Sequence, residues 1–212
     1  NLPVIITLFI CLVIGSSCND NKDDGSRGFM STATIIGDTT NGFYCYLDGG
    51  GLVISYDKNL ADAERGYFSF YYNEEDWETS TNGEKFINNA HVVTWSKYEV
   101  IHPISQEEAN DTNVAENCQL PSLLGIGYGY RGYFDLHAGF STFNSITGEK
   151  IQGKISLVYD PQEQTQDSLK LQLYYNPNTP DDWSKTQTDY ETVSCDISSV
   201  SYTHLTLPTT SR

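Results

Sequence analysis

The chain has 212 residues, 28 Asp plus Glu against 12 Lys plus Arg, and a formal net charge of −16. That balance excludes sequence-independent nucleic-acid binding, which needs a basic footprint, and adhesion to anionic lipid through protein charge. Aromatic residues at 13%, with 15 Tyr, are too many for a disordered chain.

From the N-terminus, Val4 to Ile14 (VIITLFICLVI) is an unbroken apolar run, and no charged side chain occurs from Asn1 to Ser17. The run is too short to span a bilayer but suits the core of a secretory signal. With Gly15, Ser16, Ser17 and then Cys18, segment 1–17 resembles a lipoprotein signal peptide that lacks its basic leader, with Cys18 as the lipidation site. Segment 18–28 is a polar, acidic tether. Within it, Lys22, Asp23 and Asp24 resemble the surface-export signal of Bacteroidetes lipoproteins.

Between Phe29 and Ser199 the apolar pattern has period two. The first strands expected are Phe29–Ile36, Gly42–Leu47, Leu52–Tyr56, Gly66–Tyr72 and a long one over Phe86–Ile101. Turns fall at Asp48-Gly49-Gly50-Gly51 and at Thr81-Asn82-Gly83. Five strands in this span suit an OB-like five-stranded barrel over 29–104. His102-Pro103 ends the run, and the polar stretch 105–117 reads as a linker, with Ser105 and Glu108 spaced as a helical capping box. A second series follows at Ser122–Tyr130, Tyr133–Thr142, Glu149–Tyr159, Ser168–Tyr175 and Tyr190–Ile197, the pattern of a small antiparallel β-sandwich over 118–199. The expected fold is all-β.

The end of the chain reads differently. Back-translated, Ser201 to Thr209 can be written TCTTATACACATCTGACGCTGCCGACG, which resembles a transposon end used in sequencing-library preparation. Segment 200–212 is therefore read as adaptor read-through, not native protein, and the sandwich as truncated near Ser199. Truncation predicts an unpaired edge or an exposed apolar face in the second domain.

The tether, Ser31-Thr32-Ala33-Thr34-Ile35-Ile36-Gly37-Asp38, Phe43-Tyr44-Cys45-Tyr46-Leu47-Asp48 and Glu107-Glu108-Ala109-Asn110-Asp111 together resemble NigD-like lipoproteins of Bacteroidetes. The resemblance implies an N-terminal OB domain joined to a C-terminal β-sandwich, and a bacteriocin-associated setting. It brings no biochemical activity with it.

No motif points to catalysis, a metal or a cofactor. Gly127-Tyr128-Gly129-Tyr130-Arg131-Gly132 matches G-x-G-x-x-G, but a strand pattern follows where a pyrophosphate site needs a helix N-terminus. Cys45, Cys118 and Cys195 lack zinc-ligand spacing, and their odd number allows one disulfide at most. His91, His102 and His137 read as ordinary strand or loop residues. Asp76-Trp77 and Asp182-Trp183 each follow a Tyr-Tyr-Asn, and an acid beside an exposed Trp is what a sugar platform uses. These four residues are the candidate ligand contacts.

The sequence thus leads to a non-enzymatic binding or accessory module held to the outer membrane by lipid on Cys18. The expected side is the cell surface, with the periplasmic face as the alternative. Its ligand would be a glycan or peptide, not nucleic acid, and a carbohydrate-binding or carbohydrate-active envelope protein is the second reading.

Overall fold

A computed structural model describes residues 26–116, 118–129, 132–165 and 168–201. The signal segment, the lipidation and export residues Cys18, Lys22, Asp23 and Asp24, and segment 202–212 lie outside the described residues.

The first seven strands are β1 (Arg27–Asp38), β2 (Gly42–Leu47), β3 (Leu52–Ser55), β4 (Arg65–Tyr72), β5 (Trp77–Thr79), β6 (Lys85–Ile87) and β7 (His91–Lys97). They form one sheet in the order β5-β6-β3-β2-β1-β4-β7. Alternation puts Ala33, Ile35, Phe43, Cys45, Val53, Phe68, Phe70 and Val92 into one buried cluster, with Leu60 and Ala63 closing it from the β3–β4 connection. Six of these strands, all but β5, share this cluster, which requires the sheet to curl over its own apolar face. The sheet keeps two open ends, at β5 and β7, so a closed five-stranded barrel is not what forms. The β7 edge is covered by side chains: Asn59 donates to the Val92 carbonyl at 2.9 Å, and the Val92 N–H donates to Asp57.

The long strand expected over Phe86–Ile101 breaks into β6, β7 and β8 (Glu99–Ile101), with Asn89 in a left-handed conformation (φ 61°) at the first break. At the second break, Tyr98 alone separates two sheets. β8 pairs in parallel with β15 (Thr186–Asp196), and β9 (Ile104–Ser105) pairs in parallel with β13 (Lys154–Tyr159). The chain therefore enters the second domain at Glu99, ahead of the polar stretch 105–117. That stretch starts with α1 (Gln106–Asp111), whose Ser105 Oγ accepts the Glu108 N–H at 3.1 Å, as the capping spacing predicts.

The second domain adds β10 (Leu123–Tyr128), β11 (Tyr133–Asn144), β12 (Lys150–Gln152) and β14 (Leu171–Asn176). One sheet runs β10-β11-β15-β8, with β12 also on β11, and the other runs β14-β13-β9. Leu136, Phe140, Val193 and Cys195 of the first meet Leu157 and Tyr175 of the second, with Phe140 and Tyr175 edge to face at 5.8 Å. This is a sandwich, and the whole molecule is all-β. Of the G-x-G-x-x-G residues, Gly127 and Tyr128 end β10, and Gly132 turns with φ +90° before Tyr133 begins a strand. A second short helix, α2 (Ser198–Ser201), follows β15.

Cys45, Cys118 and Cys195 are free thiols. Burial pushes Cys45 and Cys195 up to about 12, with the charges of Asp57 and Asp135 adding to each in turn. An unfolded thiol ionises near pH 9, so above that pH the unfolded state binds fewer protons than the folded one and stability falls. Urea unfolding between pH 9 and 11 should lose up to ~1.4 kcal/mol per pH unit per buried cysteine, a slope that Cys45→Ala and Cys195→Ala together should flatten.

Candidate functional site

Arg65 opens β4, and its side chain is fully excluded from solvent. Its five N–H donors all find acceptors. Nε and Nη2 donate to Asp135 at 2.8 and 2.7 Å, and Nη1 and Nη2 donate to Asp48 at 2.9 and 2.6 Å. The remaining Nη1 donor reaches Thr34 Oγ1 at 2.9 Å. Asp48 and Thr34 belong to the first domain and Asp135 to the second, so one guanidinium ties the two together through paired bonds to each carboxylate.

Several neighbours fix this socket. Ser194 Oγ donates to Asp135 at 2.7 Å. The Tyr133 ring lies 5.3 Å from the Arg65 Cζ, and its hydroxyl donates to Glu64 at 2.8 Å, a second polar link across the joint. A Cβ on Gly129 would sit 2.2 Å from Arg65 Nη2, so glycine is the residue that lets the β10 end approach the guanidinium. Burial works to lower the Arg65 pKa, but bonds to Asp135 and Asp48 outweigh it and hold the group above its ordinary value.

Beside the socket, the joint opens into a cleft of about 510 Å³. Tyr67, Lys97 and Tyr98 form one wall, with Glu99, His137 and Tyr190 opposite. His137 Nδ1 lies 3.1 Å from Thr192 Oγ1, and its ring tilts against Tyr190 at 6.4 Å. Gln152 donates to Glu99 at 2.5 Å. Glu191, also in the wall, pairs with Lys150, which bonds Asp189 at 2.7 Å. Asp189 and Glu191 hold the Lys150 pKa above the usual amine range, and Lys150 in turn lowers Asp189. The cleft therefore offers three tyrosines and polar groups already held in place, at a domain boundary, where ligand sites occur preferentially.

The residues chosen from sequence lie elsewhere. Asp76 accepts the Asn73 N–H at 2.6 Å, capping a short turn, and the exposed Trp77 packs edge-on against Tyr72 at 5.9 Å. Asp182 and the half-buried Trp183 lie in the β14–β15 loop, where the Trp183 N–H closes a turn on Pro180. No hydrogen bond, ion pair or ring contact joins the two clusters among the described residues. Neither lines the cleft. Sequence reasoning missed Arg65, although an arginine heading an apolar strand, an Asp in the Gly-rich turn and a glycine-spaced β10 were its visible traces.

No family model and no curated protein matches the chain. Solved structures do. A "Putative lipoprotein" from Bacteroides fragilis matches with a TM-score of 0.51 at 14% identity, over 84% of this chain and 81% of that one. A protein of unknown function, DUF1344, from Bacteroides vulgatus matches at 0.48 and 15% identity, over 81% and 76%. A NigD-like immunity protein from Bacteroides caccae matches at 0.43 and 16% identity, over 81% and 77%. The first of these shows a shared fold.

Removing the cation shared by two buried carboxylates leaves both charged and unpaired, a loss of ~3–5 kcal/mol. Arg65→Met should lower the unfolding free energy from urea titration by an amount in that range, and Asp135→Asn, which leaves the Arg65–Asp48 pair in place, by less. Gly129→Ala should lower it too without changing any charge, because the methyl group takes the place of Nη2.

Proposed function

We propose that this protein is a lipid-anchored envelope lipoprotein of the NigD-like kind, acting as a non-enzymatic binding or accessory module whose ligand sits in the cleft between the domains. The observation that carries the reading is the fold shared with the "Putative lipoprotein" of Bacteroides fragilis. The apolar run ending at Cys18 supports anchoring in the same sense. Lipid on Cys18 would hold the protein at the outer membrane, and the acidic tether with Lys22, Asp23 and Asp24 supports the outer face over the periplasmic one.

The binding role is supported by the state of the reactive groups. Burial holds the Cys45 and Cys195 thiols near 12, so neither is a thiolate at neutral pH. The cleft, in contrast, combines aromatic faces with fixed carboxylates, amide and amine groups, which suits recognition of a peptide or glycan.

Globomycin treatment of cells expressing the native gene should accumulate an uncleaved precursor, and Cys18→Ala should release the protein from the membrane fraction. A form that stays soluble with Cys18 intact would overturn the anchoring. Protease shaving of intact cells separates the two faces: loss of the protein places it outside, and protection places it in the periplasm.

A further inference from the structure

The outer face of the first sheet carries an aromatic strip that starts at the interdomain cleft. Tyr67, Ser69 and Tyr71 alternate along β4 on the face opposite the buried Phe68 and Phe70. Tyr67 belongs to the cleft wall, and Tyr71 to a second hollow of about 500 Å³ with Asn73, Asn89 and His91. Trp95 fills the space between them. Tyr67 pairs with Ser96 of β7 and Phe68 with Thr94, so Trp95 is the extra residue of a bulge. The bulge turns its side chain to the outer face, where the indole N–H donates to Ser69 Oγ at 2.7 Å.

Both rings lie down on the sheet. Ser69 points away from the core, yet only 4% of it is exposed, because the indole lies across it. Trp95 itself is 62% exposed. Tyr71 leans over Gly28 of β1, where a Cβ would come within 3.0 Å of the ring, so glycine leaves room for it to lie flat. The one donor of the indole is committed to Ser69, and what Trp95 offers outward is a ring face. From Tyr67 to Tyr71 the strip runs about 14 Å, at ~3.4 Å per strand residue.

We infer that the ligand of the cleft is a neutral, β-linked glycan that continues along this strip, with sugar rings stacked on Trp95 and Tyr71. The inference rests on the reading of the cleft as a binding site and names its ligand class. A pyranose with equatorial hydroxyls has apolar C–H faces that fit an aromatic ring, and hydroxyls around its edge. Side-chain groups wait at both ends of the strip, Asn89 and His91 at one and Ser96 and Lys97 at the other. A peptide laid over the same rings would leave its N–H and C=O groups unmet, since β1, β4 and β7 use theirs in their own ladders. Strand addition beside β7 is hindered at Val92, whose N–H and carbonyl are taken by Asp57 and Asn59. A nucleic acid needs a cationic groove, and among the described residues Lys97 is the one lysine or arginine lining either hollow.

Isothermal calorimetry with the full chain and two neutral probes, cellohexaose and chitohexaose, tests it. At least one should bind saturably, with an affinity that does not change as salt rises, because no charge is paired on binding. Trp95→Ala should weaken that binding about tenfold or more, and Trp95→Phe, which keeps a ring face, should stay within about threefold of the parent. A circular dichroism melt matching the parent confirms that the alanine variant is folded. No saturable binding of either probe, or binding unchanged in folded Trp95→Ala, would overturn the inference. So would a dimer in sedimentation that Trp95→Ala dissolves, because the strip would then be covered by a second copy. Tyr190→Ala, in the cleft, should weaken glycan binding as well. Binding lost in Trp95→Ala but unchanged in Tyr190→Ala overturns the cleft as the ligand site while the glycan on the strip stands. Absence of glycan binding overturns the glycan and leaves the reading of the cleft intact.

Discussion

The guanidinium of Arg65 is the constraint around which the two domains are arranged. A buried charge is tolerated only when every donor is met, and here the acceptors come from both sides of the joint. The first domain supplies Asp48 and Thr34, and the second supplies Asp135, itself steadied by Ser194. Two carboxylates around one cation leave the cluster net negative, so its geometry matters more than its charge count. The planar fork fixes distance and angle together, which a lysine at the same place could not do. The cleft inherits its walls from this arrangement. Tyr98 gives its N–H to the Arg65 carbonyl at 2.9 Å, and both Tyr98 and neighbouring Glu99 line the cleft.

Much of this architecture is legible in the sequence because β structure announces itself locally. Alternation gives β2 at its observed bounds, the Asp48-Gly49-Gly50-Gly51 turn closes the β2–β3 hairpin, and Ser105 caps α1 as its spacing requires. What stays hidden is what long-range pairing decides. β8 and β9 are three and two residues long, and nothing near them indicates that their partners are β15 and β13. The crossing at Tyr98 is therefore invisible before folding, and a proline-marked polar stretch looks like the natural boundary. The site is hidden for a related reason. Asp76-Trp77 and Asp182-Trp183 stand out as dipeptides, whereas Tyr67, His137 and Tyr190 are ordinary strand residues until three strands align them.

Two surfaces of different character result. The cleft is polar, aromatic and braced by ion pairs such as Lys150 with Asp189 and Glu191. A groove in the second domain, between the end strands β10 and β14, is apolar, with Leu123, Ile126, Leu157 and Leu173 in its lining. The cleft offers fixed hydrogen-bonding groups, and the groove is the exposed apolar face expected of the second domain from its sequence.

The parallel pairing of β8 with β15 has a consequence for the order of biosynthesis. Glu99–Ile101 emerges from the ribosome long before Val193–Cys195, and until then its backbone has no strand to join. Asp135 likewise comes into being well after Arg65, which until then has only Asp48 and Thr34 as partners. The first sheet can assemble as soon as β7 is made, but the joint and the second sandwich close last, when nearly the whole described chain is present. Such a molecule completes its second half late, because the contacts that close it are long-range in sequence.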